Sequence, residues 1–364
     1  MQTAIPTTLM RGGTSKGLFF SAADLPTEVP LRDAVLLAVM GSPDVRQIDG
    51  AGGAHPLTSK VAIVSPSPHP DADVDYLFLQ VAVDKAEVST AQNCGNILAG
   101  VGPWAIENGM VDVTGVVTKV RIHMLNTGSH ADAHVPTPHG IVVYEGNTAI
   151  DGVPGTHAAI PLDFLDVAGA STGALLPTGN KIDTINGTQL TCIDNGMPVV
   201  LLRASDFGKT GHESPAEMEG DEALCKRIEA IRLAIGPRMN LGNVAQKTVP
   251  KMSLISAPQR GGVVMTQTFI PHRVHEAIGV LGAVSVATGC VIPHCIADGL
   301  AQLPPISGTS CRLDIEHPSG AFTVDLDMAI TKTGIEVNRS ALVRTARKIM
   351  RGEVYIPASV WDGQ

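Results

Sequence analysis

Residues 57–66 read LTSKVAIVSP and residues 248–258 read TVPKMSLISAP, so Lys60 and Lys251, 191 positions apart, each stand directly ahead of an apolar run with strand character. Working outward from these runs, the same order of segments recurs on both sides. Upstream, residues 11–26 read RGGTSKGLFFSAADLP and residues 193–208 read IDNGMPVVLLRASDFG: a Gly-containing turn, an apolar strand and a polar exit. Each is followed by an amphipathic helical pattern, Leu31 to Pro43 and Cys225 to Pro237, that ends in Gly and Pro. Downstream, each half carries a nearly charge-free helical stretch, Cys94 to Ile106 and Ala277 to Ile292, and then a turn, NTGSHADAHV against HPSGAFTVDL, that sets Gly128 opposite Gly320 at an offset of 192. Two elements at nearly one offset, in one order, indicate a duplication.

A helix without a polar face must be buried on every side, and here each such helix lies between short strands. The pattern predicts an α+β fold of two pseudo-symmetric domains, 1–184 and 185–364, each a strand-lined barrel around a central helix. The two are expected to face each other across a cleft. A parallel doubly wound fold fits less well, because several strands follow one another without intervening helices.

The chain has 364 residues, 44% hydrophobic and 17% charged, with 38 Gly and 25 Pro, the profile of a turn-rich globular protein. Lys and Arg total 26 against 35 Asp and Glu, a net charge of −9 that repels a phosphate backbone, and aromatic residues at 3% are too scarce for base stacking. Nucleic acid is therefore excluded as an expected partner. The opening MQTAIPTTLMRGG has no signal-like apolar region, and Ala277 to Ile292 is short for a bilayer span. A cytoplasmic location without membrane association is expected, with a homodimer as the assembly to consider. Six cysteines (Cys94, Cys192, Cys225, Cys290, Cys295, Cys311) form no CxxC pair, so neither a zinc ribbon nor a disulfide framework is indicated.

RGGTSKG is not a Walker A loop, which needs GxxxxGK[ST]. It offers turn N–H groups with Arg11, Thr14, Ser15 and Lys16, a grouping suited to a carboxylate; the plain alternative is a hairpin turn with solvated charges. Asn93-Cys94-Gly95-Asn96 stands just ahead of the first central helix, where unpaired N–H groups favour a thiolate or an oxyanion. Cys94 can serve there as acid or base, against the commoner fate of a buried structural cysteine. A lysine such as Lys60, desolvated at a cleft lip beside a helix N-terminus, is a candidate general base, whereas an exposed edge lysine is the bland alternative. The second half has no matching thiol, reading Glu276-Ala277-Ile278-Gly279 at the corresponding place. Ser59, Asn126, Lys251, His272, Arg273, Gly279 and Ser319 complete the candidate substrate contacts. His272 and His275 lack a third ligand, so no metal site is expected.

Several long motifs resemble the PrpF-type isomerases, which share the diaminopimelate epimerase fold: LTSKVAIV, DVDYLF (73–78), QNCGNILAGVGPWAIE (92–107), GALLPTGN (173–180), IDNGMPVV, MNLGNVAQKTVPK (239–251) and FIPHRVHEAIGVLGAVSVATGC (269–290). The likeness runs from Arg11 to Cys290 and is closest to the 4-oxalomesaconate tautomerases and isomerases of that family. It implies two α+β domains with the active site between them, no cofactor, and a small unsaturated di- or tricarboxylate as substrate. It also implies a lysine and a cysteine at the catalytic positions, which match Lys60 and Cys94. The sequence departs from related ones at Leu125, where Glu is usual ahead of Asn-Thr-Gly, and at Thr172, where Cys is common. Within the family, 2-methylaconitate isomerisation by the same 1,3-proton shift is the alternative, and amino-acid racemisation is disfavoured by the missing second cysteine. Outside it stand a non-catalytic tricarboxylate-binding protein and a cysteine-nucleophile hydrolase, the latter without an evident His base.

Overall fold

The computed structural model describes residues 1–90, 93–165, 167–305, 310–330 and 335–363. The chain divides into two compact units, Met1–Leu165 with Val343–Gln364, and Asp166–Leu342.

Unit 1 contains β1 (Gln2–Gly12), β2 (Ser15–Ser21), α1 (Val29–Met40), β3 (Lys60–Pro66), β4 (Val74–Val81), β5 (Val88–Ser89), α2 (Gly95–Glu107), β6 (Val117–Met124), β7 (Ser129–Pro136) and β8 (Ile160–Leu165). Unit 2 continues with β9 (Asp183–Ile185), β10 (Thr188–Asp194), β11 (Pro198–Arg203), α3 (Pro215–Gly220), α4 (Glu222–Ile235), β12 (Lys251–Ser256), β13 (Val264–Phe269), α5 (Val280–Val291), β14 (Ser310–His317), β15 (Gly320–Ile330) and β16 (Ile335–Arg344). The last strand, β17 (Ala346–Pro357), returns to unit 1.

The pairings repeat term for term. In unit 1, β1–β2 is antiparallel, β2–β3 parallel, β3–β4 antiparallel, β4–β6 parallel, and β6–β7 and β7–β8 antiparallel. In unit 2 the series β10–β11, β11–β12, β12–β13, β13–β14, β14–β15, β15–β16 has the same alternation. Register carries the duplication to single residues: Lys60 pairs with Gly17 on β2, and Lys251 with Val199 on β11.

Each barrel closes on a helix that is buried all round, α2 from Ile97 to Ala105 and α5 from Gly282 to Cys290. Small residues make the close fit: a Cβ on Gly100 would stand 2.8 Å from the Phe19 ring, and one on Gly102 would stand 2.9 Å from Val135. The outer face of each sheet is covered separately. Leu18, Phe20, Val61, Ile63, Leu79 and Val81 pack on Val35, Leu36, Val39 and Met40 of α1. In unit 2, Leu224, Ile228, Ile231 and Ile235 of α4, spaced at helical period, cover Val200, Leu202, Met252 and Leu254. Asp221 caps α4 by accepting from the Leu224 N–H.

The unit boundaries depart from the 1–184 and 185–364 division. β17 pairs with β1 along its whole length, from Gln2 opposite Pro357 to Gly12 opposite Ala346, and so completes the first barrel. The segment after β8 already packs on unit 2: the Gly169 N–H donates to Asp194 O, and Asn240 donates to Thr172 O. Among the described residues no helix is long and apolar enough to cross a membrane.

Candidate active site

Register places the chemistry-bearing residues of the first half at one end of unit 1. Lys60 opens β3 beside Gly17 of β2, so the turn Arg11–Lys16, the amine and the N-terminus of α2 share that end. The contact is tight. A Cβ on Gly12 would lie 2.4 Å from Asn96 O, and one on Gly13, where φ is +51°, would lie 2.1 Å from Asn96 Oδ1. Both glycines are required for the turn to sit on the first turn of α2, where the Thr14 N–H donates to Asn96 Oδ1 at 3.4 Å.

Cys94 is the N-cap of α2 but makes no side-chain cap, so among the described residues no side chain claims the first-turn N–H groups of Gly95 and Asn96. Its own N–H is held by Asn93 Oδ1 at 2.8 Å, and its carbonyl accepts from the Tyr76 hydroxyl at 3.4 Å. Burial, with Cys94 alongside, pushes the Tyr76 phenol well up, so it stays a donor. Asn93 Nδ2 points to the Met124 sulfur.

Lys60 is 7% exposed on a central strand, which excludes the edge-lysine reading. Its amine donates to Gln80 Oε1 at 2.7 Å and stands 5.0 Å from the Phe78 ring centre. Among the described residues no carboxylate pairs with it. Gln80 is the directly opposed residue on β4, and Phe78 lies two residues away on the same face.

Several expected contacts are already occupied. The Ser59 hydroxyl is buried, donating to Val81 O at 2.9 Å and accepting from Gln47 Nε2 at 2.7 Å. Gln47 also donates to Ser42 and accepts from the Ala54 N–H, which explains the run GSPDVRQIDG as a brace for the segment leading into Lys60. The Asn126 side chain accepts from Phe78 N–H and donates to Phe78 O and Thr90 O. It acts as a one-residue strand where β6 has ended. Ser59 and Asn126, expected as substrate contacts, thus have their side chains engaged within the fold. Arg11 spends one nitrogen on Gly13 O and on Thr345 O and Oγ1, leaving its other terminal nitrogen unpaired; burial, then Arg347, lowers its pKa. Ser15 keeps a buried, unpaired hydroxyl, and Lys16 lies directly across β1–β2 from Arg11.

In unit 2, Lys251 holds the register position of Lys60. Burial, with Arg232 second, lowers its pKa to about 8. Its neighbour is His275, weighed from the sequence only as a metal ligand, whose pKa is lowered by burial and then by Lys251, and whose Nδ1 accepts from the Ala277 N–H. His272 and Arg273 are exposed; the Arg273 side chain is 82% exposed, 3.6 Å from Glu219. Gly279 caps α5 without a side chain, and exposed Ser319 approaches His317 Nδ1 at 3.3 Å. The departure at Thr172 has a structural use: its hydroxyl donates to buried Asp194.

Comparison with known proteins bears on the family and the fold. Along 362 residues the chain is 59% identical to the 4-oxalomesaconate tautomerase of Pseudomonas putida (strain KT2440), covering 100% of this chain and 99% of that protein. It is 57% identical to the (4E)-oxalomesaconate Delta-isomerase of Novosphingobium sp. (strain KA1), covering 96% and 97%. Its fold superposes on the crystal structure of methylitaconate-delta-isomerase with a TM-score of 0.86 at 36% identity, covering 99% and 97%. The family model described as PrpF protein matches residues 2–357, and this chain belongs to that family.

Proposed function

We propose that this chain is a cofactor-independent isomerase that moves a proton within 4-oxalomesaconate, by tautomerisation or 1,3-allylic shift, in the cytoplasm and as a homodimer. The observation that carries the reading is a buried lysine amine with a neutral acceptor, set at the same barrel end as a helix N-terminus whose N–H groups are free. The names of the relatives at 59% and 57% identity favour the oxalomesaconate substrate over 2-methylaconitate.

The chemistry follows from those groups. The Lys60 amine takes a proton from the carbon next to a carbonyl, and the released electron pair moves onto oxygen as a dienolate. The N–H groups of Gly95 and Asn96 receive that charge, aided by the positive end of the α2 dipole. A proton then returns at the far end of the delocalised system from Lys60, from Cys94 or from a water held beside it, and atoms are conserved. The cationic and hydroxyl groups of Arg11–Lys16 suit the carboxylates, since local and not net charge sets the binding potential.

Incubation with 4-oxalomesaconate in deuterated buffer tests the reading. Deuterium in an isomerised product supports it. Unchanged substrate indicates a binding protein, a released fragment indicates a hydrolase, and faster turnover of 2-methylaconitate shifts the assignment to that acid.

A further inference from the structure

Lys60 donates to a side chain whose orientation is not free. Gln80 Nε2 faces the carbonyls of Pro56 at 3.1 Å, Ser59 at 2.9 Å and Val81 at 3.4 Å. Carbonyls only accept, so the NH₂ end must face them, which turns the Oε1 end toward the Lys60 amine. The Ser59 carbonyl is itself fixed, because it also accepts from the Val81 N–H at 3.2 Å while the Ser59 hydroxyl is tied to Gln47 and Val81. Strand register adds the last constraint by setting Gln80 directly opposite Lys60.

We propose that Gln80 is a positioning residue for Lys60, presenting an amide oxygen locked in place by backbone carbonyls so that the amine is aimed by a neutral acceptor and not by a carboxylate. The inference rests on the reading of Lys60 as the base. A carboxylate at 2.7 Å would hold the lysine strongly as an ammonium ion, which cannot accept a proton; an amide oxygen gives the same direction to the side chain with a weaker hold on the charge. Phe78 beneath the amine leaves Gln80 as the directional partner.

Three variants test this, with pH–rate profiles and thermal melting for each. In Gln80→Glu, the acid limb of kcat/KM should move up by about one unit or more, with rate recovering at high pH. Its second oxygen faces the Pro56 and Ser59 carbonyls, so a lower melting temperature is also expected. Gln80→Met keeps the volume and removes both hydrogen-bonding ends, and should lower kcat roughly tenfold or more with KM little changed and no upward shift of the limb. Lys60→Met should be inactive. If Lys60→Met is inactive while Gln80→Glu keeps the wild-type limb, or Gln80→Met keeps the wild-type kcat, the positioning role is overturned and the base assignment stands. Full activity in Lys60→Met overturns the base assignment and this inference with it.

Discussion

Gly17→Ala is the substitution whose consequence can be worked furthest from the coordinates. Gly17 lies outside the left-handed backbone region, so alanine meets no torsional objection and the issue is space alone. An added Cβ would stand 2.5 Å from Lys60 O, 2.9 Å from Lys60 C and 3.1 Å from Lys60 Cβ. Contacts under 3.0 Å are essentially never occupied by a real Cβ, so the strands must part by 0.5 Å or more at this pair. The obstacle is backbone and cannot rotate away. Overpacking of this kind costs about 1–3 kcal/mol. Because the displaced residue is Lys60, and a misplacement of about 1 Å can cost roughly 10²-fold, turnover should fall by roughly tenfold. Melting and steady-state isomerisation rates measure the two effects. Gly352→Ala, where an added Cβ meets nothing within 4 Å, is the control expected to lose neither. A Gly17→Ala enzyme with wild-type kcat and unchanged melting would refute the argument that close β2–β3 approach sets the place of the amine.

Lys60→Ala should cost on the order of 10²-fold or more in turnover, the usual scale for a general base, whereas Cys94→Ser should cost clearly less because the backbone donors remain; equal losses on the deuterium-exchange assay would make the thiol an obligatory acid. Asn126→Ala removes three bonds to backbone and should destabilise by about 2–3 kcal/mol in denaturant titration, with reduced activity, since it anchors Phe78 under the amine and Thr90 ahead of Cys94. Burial lowers the Lys251 pKa in the fold to about 8 from its ordinary 10.5, so between those pH values the unfolded chain binds more protons and stability rises with pH. Lys251→Met should abolish that rise and stabilise the fold at pH 7 by at most about 3 kcal/mol, read as the wild-type-minus-variant difference across pH 7 to 10.5.

What the sequence made legible was whatever repeats or has a period. The paired lysines, the two charge-free helices and the two amphipathic ones all lie where pattern placed them, within a few residues, because burial on all sides or on one stripe leaves a mark in the order of residues. Side-chain hydrogen bonds leave no such mark. Ser59 reaches Val81, Gln80 reaches Ser59, and Asn126 reaches Phe78 and Thr90 across 22, 21, 48 and 36 positions, so nothing local separates them from free polar groups in a turn. His272 and His275 are three residues apart, yet the latter lies by Lys251 and the former is exposed, a distinction made by an irregular segment without a period. The return of β17 to β1 escaped notice for a related reason: the first barrel takes in a strand from the far end of the chain, and the duplicated core gives no signal for the extra one.

Duplication alone puts an amine at the same register position twice, so position cannot be what assigns chemistry to one of them. The neighbours do that. At Lys60 the facing strand residue is glycine, which admits the backbone to close range, and the opposed residue is a glutamine whose amide is held by carbonyls. At Lys251 the facing residue is Val199, burial lowers the pKa, and His275 is the imidazole beside it. The helix ends differ in the thiol: Cys94 stands at the N-cap of α2 and Gly279 at that of α5, and neither makes a side-chain cap. A proton-transfer site needs an aimed amine together with donors for the charge that develops on oxygen, and unit 1 supplies both at one end. Lys251 brings a cation whose charge is costly to bury, the state that a carboxylate would relieve by pairing with it. On the proposed function, base chemistry falls to Lys60 and carboxylate binding to Lys251, and it is these surroundings, not the register position, that tell the two amines apart.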